Sequence, residues 1–172
     1  MSDQNKNVAQ FNWHKAMLAA KPKFDEFKLD VGEEEIFATQ ALMNNDYLMD
    51  IAKADPTSVK LAMYNLAATG LTLNPTLGLA YLVPRRGKVI VDISYKGIIS
   101  IAVESGSILS AKPELVYEND TFVYHGPTKV PTHDCDPFSS NRGEVKGGYC
   151  IAHLTNGALM VETMSIAEIN KI

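Results

Sequence analysis

Six side chains between positions 81 and 96 have types and spacing that can do chemistry: Tyr81, Arg85, Arg86, Lys88, Tyr95 and Lys96. Arginine meets a phosphate with a planar, two-point fork, and lysine adds a compact point charge. Tyrosine offers a flat face on which any base can stack. The "SYKG" at 94–97, between a strand and a helix, would also point backbone amides at an anion. Together these residues describe a groove for a single-stranded polyanion. The same residues also suit an ordinary hairpin, with half-buried tyrosines and solubilising charges at the turn. Asn74 is a further candidate contact, although Asn-Pro also serves turns by itself. Lys129, Arg142 and Lys146 flank a long loop and are candidates for a second basic wall.

A different constellation is His133, Cys135, Cys150 and His153, spaced as H-x-C…C-x-x-H. Two nitrogens and two sulfurs would suit tetrahedral zinc, and with it a zinc-dependent hydrolase. Positions 150 and 153 fall on a strand-like run, however, where an odd spacing sends side chains to opposite faces. No metal site is therefore expected, and Cys150 reads as a small apolar residue. The chain carries no G-x-x-x-x-G-K-[ST] loop, no G-x-G-x-x-G and no G-x-S-x-G. Nucleotide hydrolysis therefore has no visible machinery. A third reading is a protein-interaction module whose basic hairpin meets an acidic partner.

Composition sets bounds on these readings. A chain of 172 residues, 46% hydrophobic and 21% charged, fits one ordinary globular domain. Two cysteines make no disulfide framework, and no apolar run is long enough to span a membrane. With no secretory leader in the polar N-terminus, a cytoplasmic location is expected. The net charge of −4 is unevenly spread. Residues 25–55 hold nine acids against two bases, while residues 81–112 hold five bases against two acids. Such a dipolar chain suits a polyanion on one side and a neighbouring copy's basic surface on the other.

The elements that must position these groups follow from periodicity. Residues 1–24 read as a flexible polar arm with at most a helical turn, and residues 25–172 as a single α+β domain. Residues 33–53 have a helical period broken near "NND", which fits one broken helix or two short ones. Asp55, Pro56 and Gly70 mark the cap, first turn and stop of the next helix. "LAYLVP" and "VIVDIS", joined by "RRGK", form a hairpin with Gly87 taking the unusual backbone angle. "YKGIISIAVESG" reads as a short helix with Ile98, Ile99, Ala102 and Val103 inward. Strand-like runs return at 108–117, 121–125, 145–154 and 158–164. The stretch 126–143 is a long irregular loop, Asn156-Gly157 a hairpin turn, and Ser165 with Glu168 a capping box. The fold class is α+β: N-terminal helices, then a mostly antiparallel sheet with one inserted short helix.

From Gly70-Leu71 through Tyr124 the sequence resembles the RecT family of phage-encoded single-strand annealing recombinases. The resemblance rests on an ordered series: Asn74-Pro75, Leu77-Gly78, Ala80 to Leu82, Pro84, Tyr95 to Gly97, Ser105-Gly106, Val116 to Glu118, and Asp120-x-Phe122-x-Tyr124. It continues more weakly through residue 171 and covers roughly residues 35–171. It implies single-stranded DNA binding, homo-oligomerisation on DNA, and ATP-independent annealing that yields a duplex, with an exonuclease as a possible partner in a bacterial host. Ser94 stands where the family usually has glycine. Relatives continue with a basic helical segment, so the domain is expected to lack that part here.

Overall fold

The computed structural model describes residues 13–171, with side chains from residue 20 onward. Half of the expected arm, residues 1–12, lies outside the described residues. From Trp13 the chain is not an arm but a helix, α1 (Trp13–Glu26). It forms because Ala20 and Phe24, four apart, both reach full burial in the core. The chain forms two compact units that divide between Ile101 and Ala102.

The first unit is helical with one hairpin. After α1 come α2 (Val31–Met43), α3 (Asp46–Ala54) and α4 (Pro56–Thr69). The broken period at "NND" resolves as two helices, because the Asn45 side chain accepts from the Leu48 N–H and caps α3. Asp55 does the same for α4 through the Ser58 N–H, and Gly70 ends α4 at φ 69°. Leu42, Leu48, Val59, Met63, Leu66 and Leu71 fill the core. The hairpin β1 (Ala80–Arg85) and β2 (Lys88–Ile93) closes it with Ala80, Leu82 and Val89. The Val89 N–H donates to the buried Ser58 Oγ at 3.1 Å, tying hairpin to helix.

Glu34 on α2 is one of two buried polar residues of the described chain, only 2% exposed. Its carboxylate accepts from the Leu73 N–H at 2.9 Å and from the Thr72 hydroxyl. Burial pushes its carboxyl above the usual range against the pull of those two donors. The acidic 25–55 segment is therefore not all surface: Glu33 is exposed, whereas Glu34 holds α2 to the 72–73 backbone.

The inserted helix α5 (Tyr95–Glu104) carries the division between the units. Its expected inward face is partly overturned: Ile98 is 60% and Val103 40% exposed, while Gly97 is buried and Ile101 packs on the core. The reason lies at Gly97, whose bare backbone faces the Leu79 carbonyl. That contact sets the buried stripe along 97 and 101 and turns Ile98 outward.

The second unit holds a three-stranded antiparallel sheet in the order β3 (Ile108–Tyr117), β6 (Val145–Leu154), β7 (Leu159–Ser165). The turn at Asn156-Gly157 joins the last two, with Gly157 at φ 83°. The 126–143 loop is not wholly irregular, because β5 (Thr132–Asp134) lies within it and pairs with β4 (Thr121–Val123). The chain then enters α6 (Ile166–Ile169) through the expected capping box of Ser165 and Glu168. The architecture is α+β. Among the described residues no helix is long and apolar enough to cross a membrane.

Candidate nucleic-acid interface

Alternation along the hairpin separates its two faces. Ala80, Leu82 and Pro84 oppose Ile93, Val91 and Val89 on the core side. Tyr81 opposes Asp92, Val83 opposes Ile90, and Arg85 opposes Lys88 on the other. The outer face thus runs from a tyrosine, 49% exposed, with the exposed Asp92 opposite it, over two aliphatic side chains to two opposed cations. Like charges directly across an antiparallel pair cost stability, so folding alone does not favour Arg85 beside Lys88. Arg85, Arg86, Lys88 and Ile90 line an open depression at this end. None of Arg85, Arg86, Lys88 and Lys96 has an ion-pair partner among the described residues.

The turn itself is Arg86-Gly87, with φ values of 51° and 72°. Both central residues are left-handed, the type I′ geometry that matches strand twist and favours Asn-Gly. The sequence reading assigned the unusual angle to Gly87 and missed Arg86. An L-residue with a long side chain is disfavoured there. Arg86→Asn is therefore expected to stabilise the hairpin by ~0.5–1 kcal/mol in denaturant unfolding while weakening polyanion binding. Loss of stability on this substitution would remove the strained turn from the account.

Tyr95 and Lys96 open α5, and both are exposed, Tyr95 by 59%. The departure at Ser94 has a structural use. Its Oγ donates to the Gly78 carbonyl at 2.7 Å and accepts from the Gly97 N–H at 3.2 Å, capping α5 and fastening its start to the 78–79 turn. Asn74 is spent locally: its Oδ1 accepts from the Thr76 N–H at 3.0 Å and its carbonyl from Leu77 and Gly78. It shapes the turn that leads into β1.

Lys129, Arg142 and Lys146 belong to the second unit. Lys129 and Lys146 are exposed, but Arg142 is directed inward. Its Nε and Nη2 donate to the two oxygens of Asp120 at 3.0 and 2.6 Å, and its guanidinium lies 4.1 Å from the Tyr117 ring centre. Asp120 also accepts from the Tyr117 N–H at 2.9 Å and pairs with His133 Nε2 at 3.1 Å. His133 Nδ1 in turn faces the Tyr149 hydroxyl at 3.1 Å, and Phe122 packs on both rings. The Arg142 hydrogen bonds, helped by the Tyr117 amide and His133, hold the Asp120 carboxyl well below the usual range despite its burial. Sequence reading missed this network, although Asp120-x-Phe122 stood in the motif series.

The network also decides the His/Cys constellation. Among the described residues, the metal-type donors that come together are Asp120, His133 and Cys135, within 4.8 Å of one another. Cys150 and His153 are not part of that group. Both nitrogens of His133 face hydrogen-bond partners, and Arg142 already neutralises Asp120. A guanidinium stands where a cation would be attracted, so the arrangement reads as a structural clasp.

A model of the RecT family matches residues 33–172. The chain belongs to the RecT family. Protein RecT of Escherichia coli (strain K12) is 29% identical to it over 131 residues, which are 71% of this chain and 48% of that relative. The chain spans about half the length of this curated relative. In this RecT-family chain the motif series has a physical content: Leu71 is core, Gly78 takes φ 63°, Gly97 admits a close helix approach, and Asp120 and Phe122 build the clasp.

Proposed function

We propose that this chain binds single-stranded DNA along the outer face of the β1–β2 hairpin and the start of α5, and promotes annealing of complementary strands without ATP or covalent chemistry. The observation that carries the reading is the opposition of Arg85 and Lys88 on an exposed face. Both lack counter-ions among the described residues, and Tyr81 shares that face. Phosphates would supply the missing negative charge, and base pairing the specificity. Tyr81 and Tyr95 are the stacking or groove-shaping candidates, and Lys96 adds a charge where α5 begins. Asn74 and Arg142 act through the turn and the clasp, while Lys129 and Lys146 remain as exposed cations of the second unit. In the same reading several copies assemble along the strand, and an exonuclease supplies it. RecT-family membership supports the recombination setting.

The test is annealing and binding of two complementary oligonucleotides across a salt series. Arg85→Ala with Arg86→Ala removes two phosphate contacts, so the log–log salt slope is expected to shrink by ~1.4 and affinity to fall at least about tenfold. Lys96→Ala should weaken binding by less. Unchanged annealing in these variants would move the site elsewhere.

A further inference from the structure

The loop after β5 displays the most exposed large hydrophobic side chain among the described residues, Phe138, 94% exposed. It is not a loose end. The Asp136 carboxylate accepts from the Phe138 N–H at 3.0 Å, its carbonyl accepts from the Ser139 N–H at 3.2 Å, and Ser139 Oγ accepts from the Asn141 N–H at 3.2 Å. Beyond the tip, Asn119 binds the Asn141 and Arg142 carbonyls, and Arg142 clasps Asp120. A solvated aromatic on a fastened loop loses little conformational entropy when it docks, which is what an interface anchor requires.

Charge selects the partner. Between His133 and Asn141 stand Asp134 and Asp136 with no lysine or arginine, and both acids are exposed. Arg142, the next cation, is neutralised internally. Acids flanking Phe138 repel phosphates, so a nucleic acid is a poor occupant. A basic rim around an apolar floor is a good one, and the chain carries such a surface in the depression of Arg85, Arg86, Lys88 and Ile90. A phenyl ring can lie on Ile90 and a guanidinium while the aspartates meet the neighbouring cations.

We propose that, without DNA, the Phe138 loop of one copy docks onto the hairpin depression of a second copy and covers it until a single strand displaces it. This rests on the hairpin being the polyanion-facing surface. It adds a competitor for that surface supplied by the protein itself.

Sedimentation velocity of the full chain without DNA, at several salt concentrations, is the test. Self-association is expected to weaken with salt and to fall about tenfold or more in Phe138→Ala, a substitution at a solvated position that spares the fold. Asp134→Lys and Arg85→Glu are each expected to weaken it, and a mixture of the two to associate with each other, because both loop–hairpin contacts then pair opposite charges. Wild-type association in Phe138→Ala, or no recovery on mixing, overturns the proposal. Oligonucleotide binding by Phe138→Ala separates the two readings: it is expected to equal or exceed wild type, whereas failure of the hairpin as the DNA surface shows in Arg85→Ala with Arg86→Ala.

Discussion

Asp120→Asn is expected to loosen the second unit by several degrees in thermal unfolding and to abolish a step in its acid stability. The Asp120 side chain is 2% exposed and the Arg142 side chain 22%, so the substitution strands a half-buried guanidinium with no counter-charge. Asparagine still offers one oxygen, but not the two that Arg142 engages. The sign of the pH effect follows from the depressed carboxyl. Its stabilisation is fully present above the ordinary aspartate range near 3.9, and is lost as pH falls below that value towards the lower folded one. Wild type should therefore lose stability below about pH 4 in a way that Asp120→Asn does not. Hydrogen exchange in residues 135–144 should rise with the substitution, because Asn119 and Arg142 hold that segment to the 117–120 turn. A variant with unchanged melting and an unchanged acid limb would show that the clasp carries no weight. If the clasp also presents Phe138, the same variant should lose part of the DNA-free self-association.

What the sequence disclosed, and what it withheld, divides along the range of the interactions. Caps and stops depend on residues three or four apart, so Asp55, Pro56 and Gly70 delimit α4, and Ser165 with Glu168 form their box. The hairpin was legible for the same reason, since "RRGK" has few ways to turn between two alternating runs. Contacts that depend on distant partners were not legible. Glu34 looks like one of three surface acids until the Leu73 amide, thirty-nine residues away, is seen to donate to it. Arg142 looks like a free cation until Asp120, twenty-two residues away, claims two of its three nitrogens. Residues 13–24 look like a polar arm because Lys15, Lys21, Pro22 and Lys23 surround the four-residue spacing of Ala20 and Phe24, both of which are fully buried. Of the candidate contacts, Tyr81, Arg85, Arg86 and Lys88 stand together on the β1–β2 hairpin, with Arg85, Lys88 and Tyr81 on its outer face and Arg86 in its turn. Asn74 and Arg142 are held by local and internal partners instead.

Glycine shows the same division most sharply and yields the other large effect. Gly87 was legible from its turn, yet a Cβ added there meets nothing within 4 Å, so its alanine variant carries only the strain of φ 72°. Gly97 sits in a helix, where glycine is simply unfavourable by propensity, and alanine would be the nominal improvement. The packing reverses that expectation. A Cβ at Gly97 would lie 2.3 Å from the Leu79 carbonyl oxygen, 2.9 Å from Ile93 Cγ2 and 3.0 Å from Leu71 Cδ1. The first of these is backbone, fixed by the Ser94 N–H that donates to the same oxygen at 2.9 Å. The only relief is for the start of α5 to lift from the hairpin, which breaks the Ser94 cap and opens the core beside Leu71. Gly97→Ala is therefore expected to cost ~2–4 kcal/mol in chemical denaturation, the sign opposite to helix propensity. Because Tyr95 and Lys96 ride on that turn, oligonucleotide binding should fall further than in Lys96→Ala, which leaves the backbone alone. An alanine variant as stable as wild type would mean that α5 does not approach β1 this closely, and the placing of Tyr95 and Lys96 beside the hairpin would go with it.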